Sequence, residues 1–165
     1  GIELFTEFDI LTAVNERAKQ QLSVFANVAY IQSYYIRSKE SNYVNKQVEY
    51  VAPLILRGGL KYKIKNWSSQ LQVSYTSDQF SDASNAVIPS GDAVIGLVPA
   101  YLIVDFSSRY VTNGNWSFEI SVNNLTNQKY FTRRASGYPG PGILPSDGIQ
   151  VFGTVQYHFA LKRKA

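Results

Sequence analysis

The feature that most constrains this chain is a hydrophobic period of two, because successive side chains on an extended strand point to opposite faces. In LILRGGLKYKIK, residues 54 to 65, Leu54, Leu56, Gly58, Leu60, Tyr62 and Ile64 share one face while Arg57, Lys61, Lys63 and Lys65 share the other. The same alternation recurs in IELFTEFDIL, QLSVFANVAYIQSYYI, QLQVSYT, YLIVDFSSRY, WSFEISVN and VFGTVQYHF, at 2–11, 21–36, 70–76, 101–110, 116–123 and 151–159. Seven strands are expected, and no run carries a convincing helical period. Leu56, Leu60, Val73, Val104, Phe118 and Val155 fall on the apolar side, whereas Arg57, Lys61, Lys63, Arg109, Glu119 and His158 fall on the polar side.

The joins alternate in length. TAVNERAKQ, the turn at Asn66 and TNGN are short, and Asn113-Gly114 is a strong hairpin signal. The segments at about 37–50, 78–99 and 132–149 are long. Short turns on one rim and long loops on the other describe an antiparallel up-and-down transmembrane β-barrel with external loops. Twelve Tyr, nine Phe and two Trp fit the same geometry. Tyr62, Trp67, Tyr110, Trp116, Tyr157 and Phe159 are expected near the short-turn rim. Tyr30, Tyr34, Tyr35, Tyr50, Phe80, Tyr101, Tyr130 and Phe131 are expected toward the long-loop rim, giving two aromatic belts. A soluble antiparallel barrel or sandwich produces the same period and stays open on this ground alone.

Several function classes find little support. The chain has no Cys, so disulfides and thiolate metal sites are unavailable. His158 is the only histidine and reads as a hydrated polar residue rather than a catalyst. Asp78, Asp82 and Asp92 share a long loop without the spacing of a calcium loop, so no metal site is expected. No P-loop, dinucleotide fingerprint or HExxH occurs, and neither an enzyme nor a cofactor is expected. The net charge of +4 comes from scattered Lys and Arg, apart from LKRKA at the end, so nucleic acid is not an expected partner. There is no secretory leader in GIELFTEFDI and no apolar run long enough for a transmembrane helix.

SVNNLTNQKYFTRRASGYPGPGILPSDGIQVFGTVQYHF, residues 121–159, resembles the C-terminal end of TonB-dependent outer-membrane receptors, most closely ferric-dicitrate-receptor-like members of Bacteroidetes type. Val122, Asn124, Leu125, Lys129 and Tyr130 match a V-x-N-L-x-x-x-x-Y segment before the last external loop, and Tyr157 with Phe159 resembles the terminal aromatic signal. GIEL and YVAPLILRGGLKYKIKN are further, weaker points of likeness. The family commonly stops at that aromatic, whereas here ALKRKA follows Phe159.

The resemblance implies that residues 1–159 are the C-terminal part of a receptor barrel and that 160–165 form a basic tail. Plugged transporter barrels have about 22 strands, so seven strands are a portion of one. It also implies energised uptake of a scarce ligand, usually a ferric chelate, across the Gram-negative outer membrane. The expected partners are outer-membrane lipid and lipopolysaccharide, the chelate, and TonB acting through a plug domain not found in this sequence. A structural or adhesive outer-membrane barrel and a soluble ligand-binding barrel are the alternatives. In the last loop Arg133, Arg134 and Tyr138 are the candidate substrate-binding residues, since forked guanidinium donors match carboxylate-rich chelates. Adjacent residues on extended chain diverge, so one of the two arginines is expected to point into the vestibule.

Overall fold

The structure, a computed structural model, describes residues 1–15, 18–138 and 140–159. The proposed basic tail at 160–165 lies outside the described residues. The elements are β1 (Ile2–Asp9), α1 (Ile10–Val14), β2 (Gln20–Tyr30), β3 (Leu54–Ile64), β4 (Trp67–Thr76), β5 (Gln79–Phe80) and β6 (Leu97–Val98). They are followed by β7 (Tyr101–Val111), β8 (Trp116–Asn123), β9 (Phe131–Ala135), β10 (Gly142–Pro145) and β11 (Gln150–Tyr157).

Seven long strands form one antiparallel sheet in the order β1-β2-β3-β4-β7-β8-β11, each beside its nearest long neighbour in the chain. The expected up-and-down, all-β architecture is therefore present. Its register shows why the period of two matters. Val24, Leu60, Leu71, Phe106, Val122 and Val151 are successive cross-strand partners, and they form one apolar row across six strands. Gln21, Lys63, Ser68, Arg109, Glu119 and Thr154 form an equivalent row on the opposite face, entirely polar. A slip of one residue in any pair would exchange the faces, so the pattern fixes the register.

The apolar face does not close over a core. Leu60, Val73, Phe118 and Val155 remain 46%, 37%, 45% and 63% exposed, and the buried apolar residues are Phe25, Ala52, Val98 and Ile103 among those described. A soluble barrel or sandwich turns its apolar faces inward; this sheet leaves its own uncovered.

Three differences from the sequence reading have local causes. The opening run ends at Asp9 rather than residue 11, because the Asp9 carboxylate caps the single turn of α1 by accepting from Thr12 N at 3.1 Å. The second strand stops at Tyr30 rather than continuing to residue 36; Ile31 N donates to Pro53 O, and the chain then leaves the sheet. The two longest external segments are not irregular throughout: β5 pairs with β6, and β9 pairs with β10.

Candidate functional site

Two regions carry chemistry: the polar face of the sheet and the cap built from the external loops. Toward the short-turn rim the polar face carries an open cavity of about 340 Å³ lined by Glu7, Ser23, Lys61, Lys63, Gln70, Ser107, Arg109 and Glu119, among others. Lys61 Nζ lies 2.7 Å from Glu7 Oε2 and 4.9 Å from the centre of the Phe25 ring. Arg109 Nη2 donates to Ser117 Oγ at 3.4 Å. Above these charges β4 contributes neutral polar groups, with Gln70 donating to Gln72 and Gln72 donating to Ser74, both at 3.3 Å. Lys61, Lys63, Arg109 and Glu119 thus come together around one cavity. Arg57 shares their face but sits farther up, paired in register with Asn27 and Ser74.

The opposite face carries its polar atoms near the short-turn rim. Trp67 Nε1 donates to Ser108 Oγ at 2.7 Å and Ser69 Oγ at 3.0 Å, while Tyr62 Oη donates to Gln20 at 2.9 Å. Trp116 packs on Tyr157 with centroids 4.7 Å apart, and Tyr157 meets Phe159 edge-on at 4.6 Å. This is the expected belt of amphipathic rings. A shallow apolar groove lies beside it where Gly153 lacks a side chain, between Phe118, Ile120 and Val155. At the other rim the expected belt is not continuous. Tyr30 lies on the apolar face, but Tyr35 donates to Glu49 at 2.6 Å, Tyr50 donates to Arg134 O at 3.0 Å, and Tyr101 packs on Tyr130. Those hydroxyls and rings build the loops instead.

Within the cap, Arg134 is buried while Arg133 is exposed, and Tyr138 is 98% exposed. The two arginines diverge as neighbours on an extended strand must. Arg134 Nη1 and Nη2 donate to Ala93 O and Leu97 O at 2.7 and 2.8 Å. The three candidate residues therefore do not converge on one point. Asp92 accepts from Ser90 Oγ at 2.6 Å and from Val94 N at 3.2 Å, and these bonds hold its carboxyl below the ordinary carboxylate value. Asp82 accepts from Ser84 N, so two of the three loop acids serve turns, and no metal-holding group of acids and histidines occurs among the described residues. His158 is exposed.

Sequence reasoning named Asn124 only as a match to the family segment and missed the role of asparagines in shaping these loops. Asn124, 3% exposed, donates from Nδ2 to Gln128 O and Asp147 O, accepts from Gln128 N, and donates its own N–H to Asp105. Asn85 makes a two-way bond with the Gln47 backbone. Both have positive φ, as do Asn45 and Asn127. Clustered Asn in NNLTN is the signal that could have found the first, since Asn tolerates that region and bonds nearby backbone.

An antiparallel sheet with one outward apolar face, an aromatic belt at the short-turn rim, a polar inner wall and a loop cap on the other rim defines a piece of an outer-membrane β-barrel wall. The family described as "TonB dependent receptor-like, beta-barrel" matches residues 1–125, and the chain belongs to it. That is a family of receptors and transporters of the Gram-negative outer membrane, not of enzymes.

Several solved structures share this fold, three of them as follows. Unliganded FecA, the ferric citrate transporter, is 21% identical with a TM-score of 0.80, covering 93% of this chain and 23% of its own. The siderophore receptor PiuA from Acinetobacter baumannii is 21% identical, TM-score 0.66, covering 94% and 21%. The copper transporter OprC is 16% identical, TM-score 0.67, covering 95% and 23%. This chain spans less than a quarter of the length of these transporters. The family match rests on the earlier strands, whereas the motif that first suggested the family lies mostly beyond residue 125.

Proposed function

We propose that residues 1–159 form the C-terminal part of a TonB-dependent receptor barrel that takes up a scarce ligand, a ferric chelate, across the outer membrane. The observation that carries this reading is the wall itself. In a chain of an outer-membrane receptor family, one face of the sheet carries a row of six apolar side chains across six strands and the other face a row of six polar ones. Such a wall meets hydrocarbon on one side and bounds an aqueous lumen on the other. Arg57, Lys61, Lys63, Arg109 and Glu119 are the lumen-facing residues of this reading.

FecA is a ferric citrate transporter and OprC a copper transporter, so the shared fold does not select a cargo. The choice of an anionic chelate rests on the exposed Arg133 in the cap, because a guanidinium offers paired donors to carboxylate oxygens. The barrel's partners are then membrane lipid, lipopolysaccharide at the loop rim, and TonB through a plug domain. The test uses cells making the whole receptor that carries this chain, supplied with radioactive iron as ferric citrate. Uptake that stops when TonB is deleted is expected. Uptake unchanged by that deletion, or none with TonB present, would contradict the proposal.

A further inference from the structure

The external loops possess a small core of their own. Ala52, Ser81, Val98 and Arg134 are buried, and each lies in or beside these loops rather than within the seven-stranded sheet. Arg134, 7% exposed, stands at the junction of all three loops. Its two terminal nitrogens donate to Ala93 O and Leu97 O in the second loop, at 2.7 and 2.8 Å. Its guanidinium lies 5.1 Å from the centre of the Phe131 ring. Its own carbonyl accepts the hydroxyl of Tyr50 from the first loop at 3.0 Å.

The second loop is shaped to receive this group. Gly96 has φ of +139°, and a Cβ there would stand 2.9 Å from Pro89 Cα and 3.4 Å from Arg134 Cζ. Ser81 Oγ accepts from Gly96 N at 3.0 Å and fixes that turn from beneath. The charge of Arg134 is thus met by carbonyl dipoles and a ring face rather than by a carboxylate. A buried charge is stable only while such partners stay in place, and the planar fork reaches two carbonyls at once where an ammonium point charge does not.

We infer that Arg134 is a positioning residue, a lock whose side chain joins the second and third external loops into one body, and that Arg133, exposed on the other side of β9, is the member of the pair presented to the ligand. The second half of this inference rests on the proposed uptake of an anionic chelate; the first half does not. Loops held as one body keep a fixed rim, so Arg133 meets its ligand without first being ordered.

The experiment places spin labels at Ile88→Cys and Ser136→Cys in the full-length receptor, cleared of other cysteines, and measures the distance distribution between them alongside ferric citrate affinity. A single narrow distribution is expected for the parent, and broadening by about twofold or more for Arg134→Gln and Arg134→Lys, since neither bridges both carbonyls. Arg133→Gln should keep the narrow distribution and weaken ferric citrate binding by about tenfold. Gly96→Ala disturbs the seat while leaving the charge in place, and it should also broaden the distribution. It carries the test if the Arg134 variants do not assemble. A parent-like distribution in Arg134→Gln, or in Gly96→Ala where that variant stands in, would overturn the lock. Lost affinity in Arg134→Gln with parent-like distances would make Arg134 a ligand contact instead. Unchanged affinity in Arg133→Gln would overturn its assignment. A parent that binds no ferric citrate would overturn the chelate reading, while the distances still decide the lock.

Discussion

At the scale of single residues, the external rim depends on side chains that bond to backbone rather than to one another. Asn124 combines a positive φ with three side-chain hydrogen bonds, and Asn124→Ala loses the bonds while tolerating that backbone angle poorly. That variant should lose about 2–4 kcal/mol of local stability, whereas Asn124→Gly, which accepts the backbone angle, recovers only the conformational part. Heat resistance of the folded band on electrophoresis of the full-length receptor checks the order parent, Gly, Ala. Tyr35 offers a second test. Its hydrogen bond to Glu49 raises the phenol above the usual value near 10, with burial and the Glu49 charge acting in the same direction. A raised folded value means the contact is fully stabilising below about pH 10 and is lost as pH rises through the folded value. Ultraviolet titration of the parent minus Tyr35→Phe should therefore show one phenol ionising later than a free tyrosine. The adjacent arginines were legible as a pair with divergent side chains. Which of them is buried was not, because the partners of Arg134 are carbonyls 41 and 37 residues away, and a carbonyl leaves no mark in a sequence.

At the scale of elements, long strands were legible and short ones were not. A strand of eight or more residues shows its two faces as a period, as β3 does with Leu56, Gly58 and Leu60 against Arg57 and Lys61. The paired segments β5, β6, β9 and β10 have two to five residues each, too short for a period to emerge amid Gly and Pro. They form because the loops pack on each other. The faces of the long strands make a direct prediction: Arg at Leu60 or Val104 should destabilise the assembled barrel by about 2–4 kcal/mol near the bilayer midplane, and Arg at Gln72 or Ser121 far less. Unfolding of reconstituted receptor in denaturant measures the difference. Gly59 lies on the polar face, yet a Cβ there would overlap Leu71 O and stand 3.0 Å from Gln72 Cα. Gly59→Ala should therefore cost about 1–3 kcal/mol through forced backbone movement, although it places no new group in lipid. The same unfolding measurement should rank it well above Ser121→Ala.

At the scale of the whole molecule, β1 and β11 each have only one neighbour in the sheet among the described residues, and each presents an edge of backbone donors and acceptors. In hydrocarbon every such unpaired group costs several kcal/mol, so this wall is stable when further strands complete it. The isolated chain should aggregate in water or persist only in detergent, and a monodisperse water-soluble monomer on size-exclusion chromatography would contradict that. The central claim is that one face of the sheet meets lipid and the other meets water. Nitroxide labels placed singly at residues 56, 57, 60 and 61 along β3, in full-length receptor reconstituted into bilayers, test it most directly by their access to oxygen and to a water-soluble nickel chelate. The expected result is a strict division by face, with 56 and 60 favouring oxygen and 57 and 61 favouring the chelate. Equal access on both faces, or the opposite phase, would contradict it.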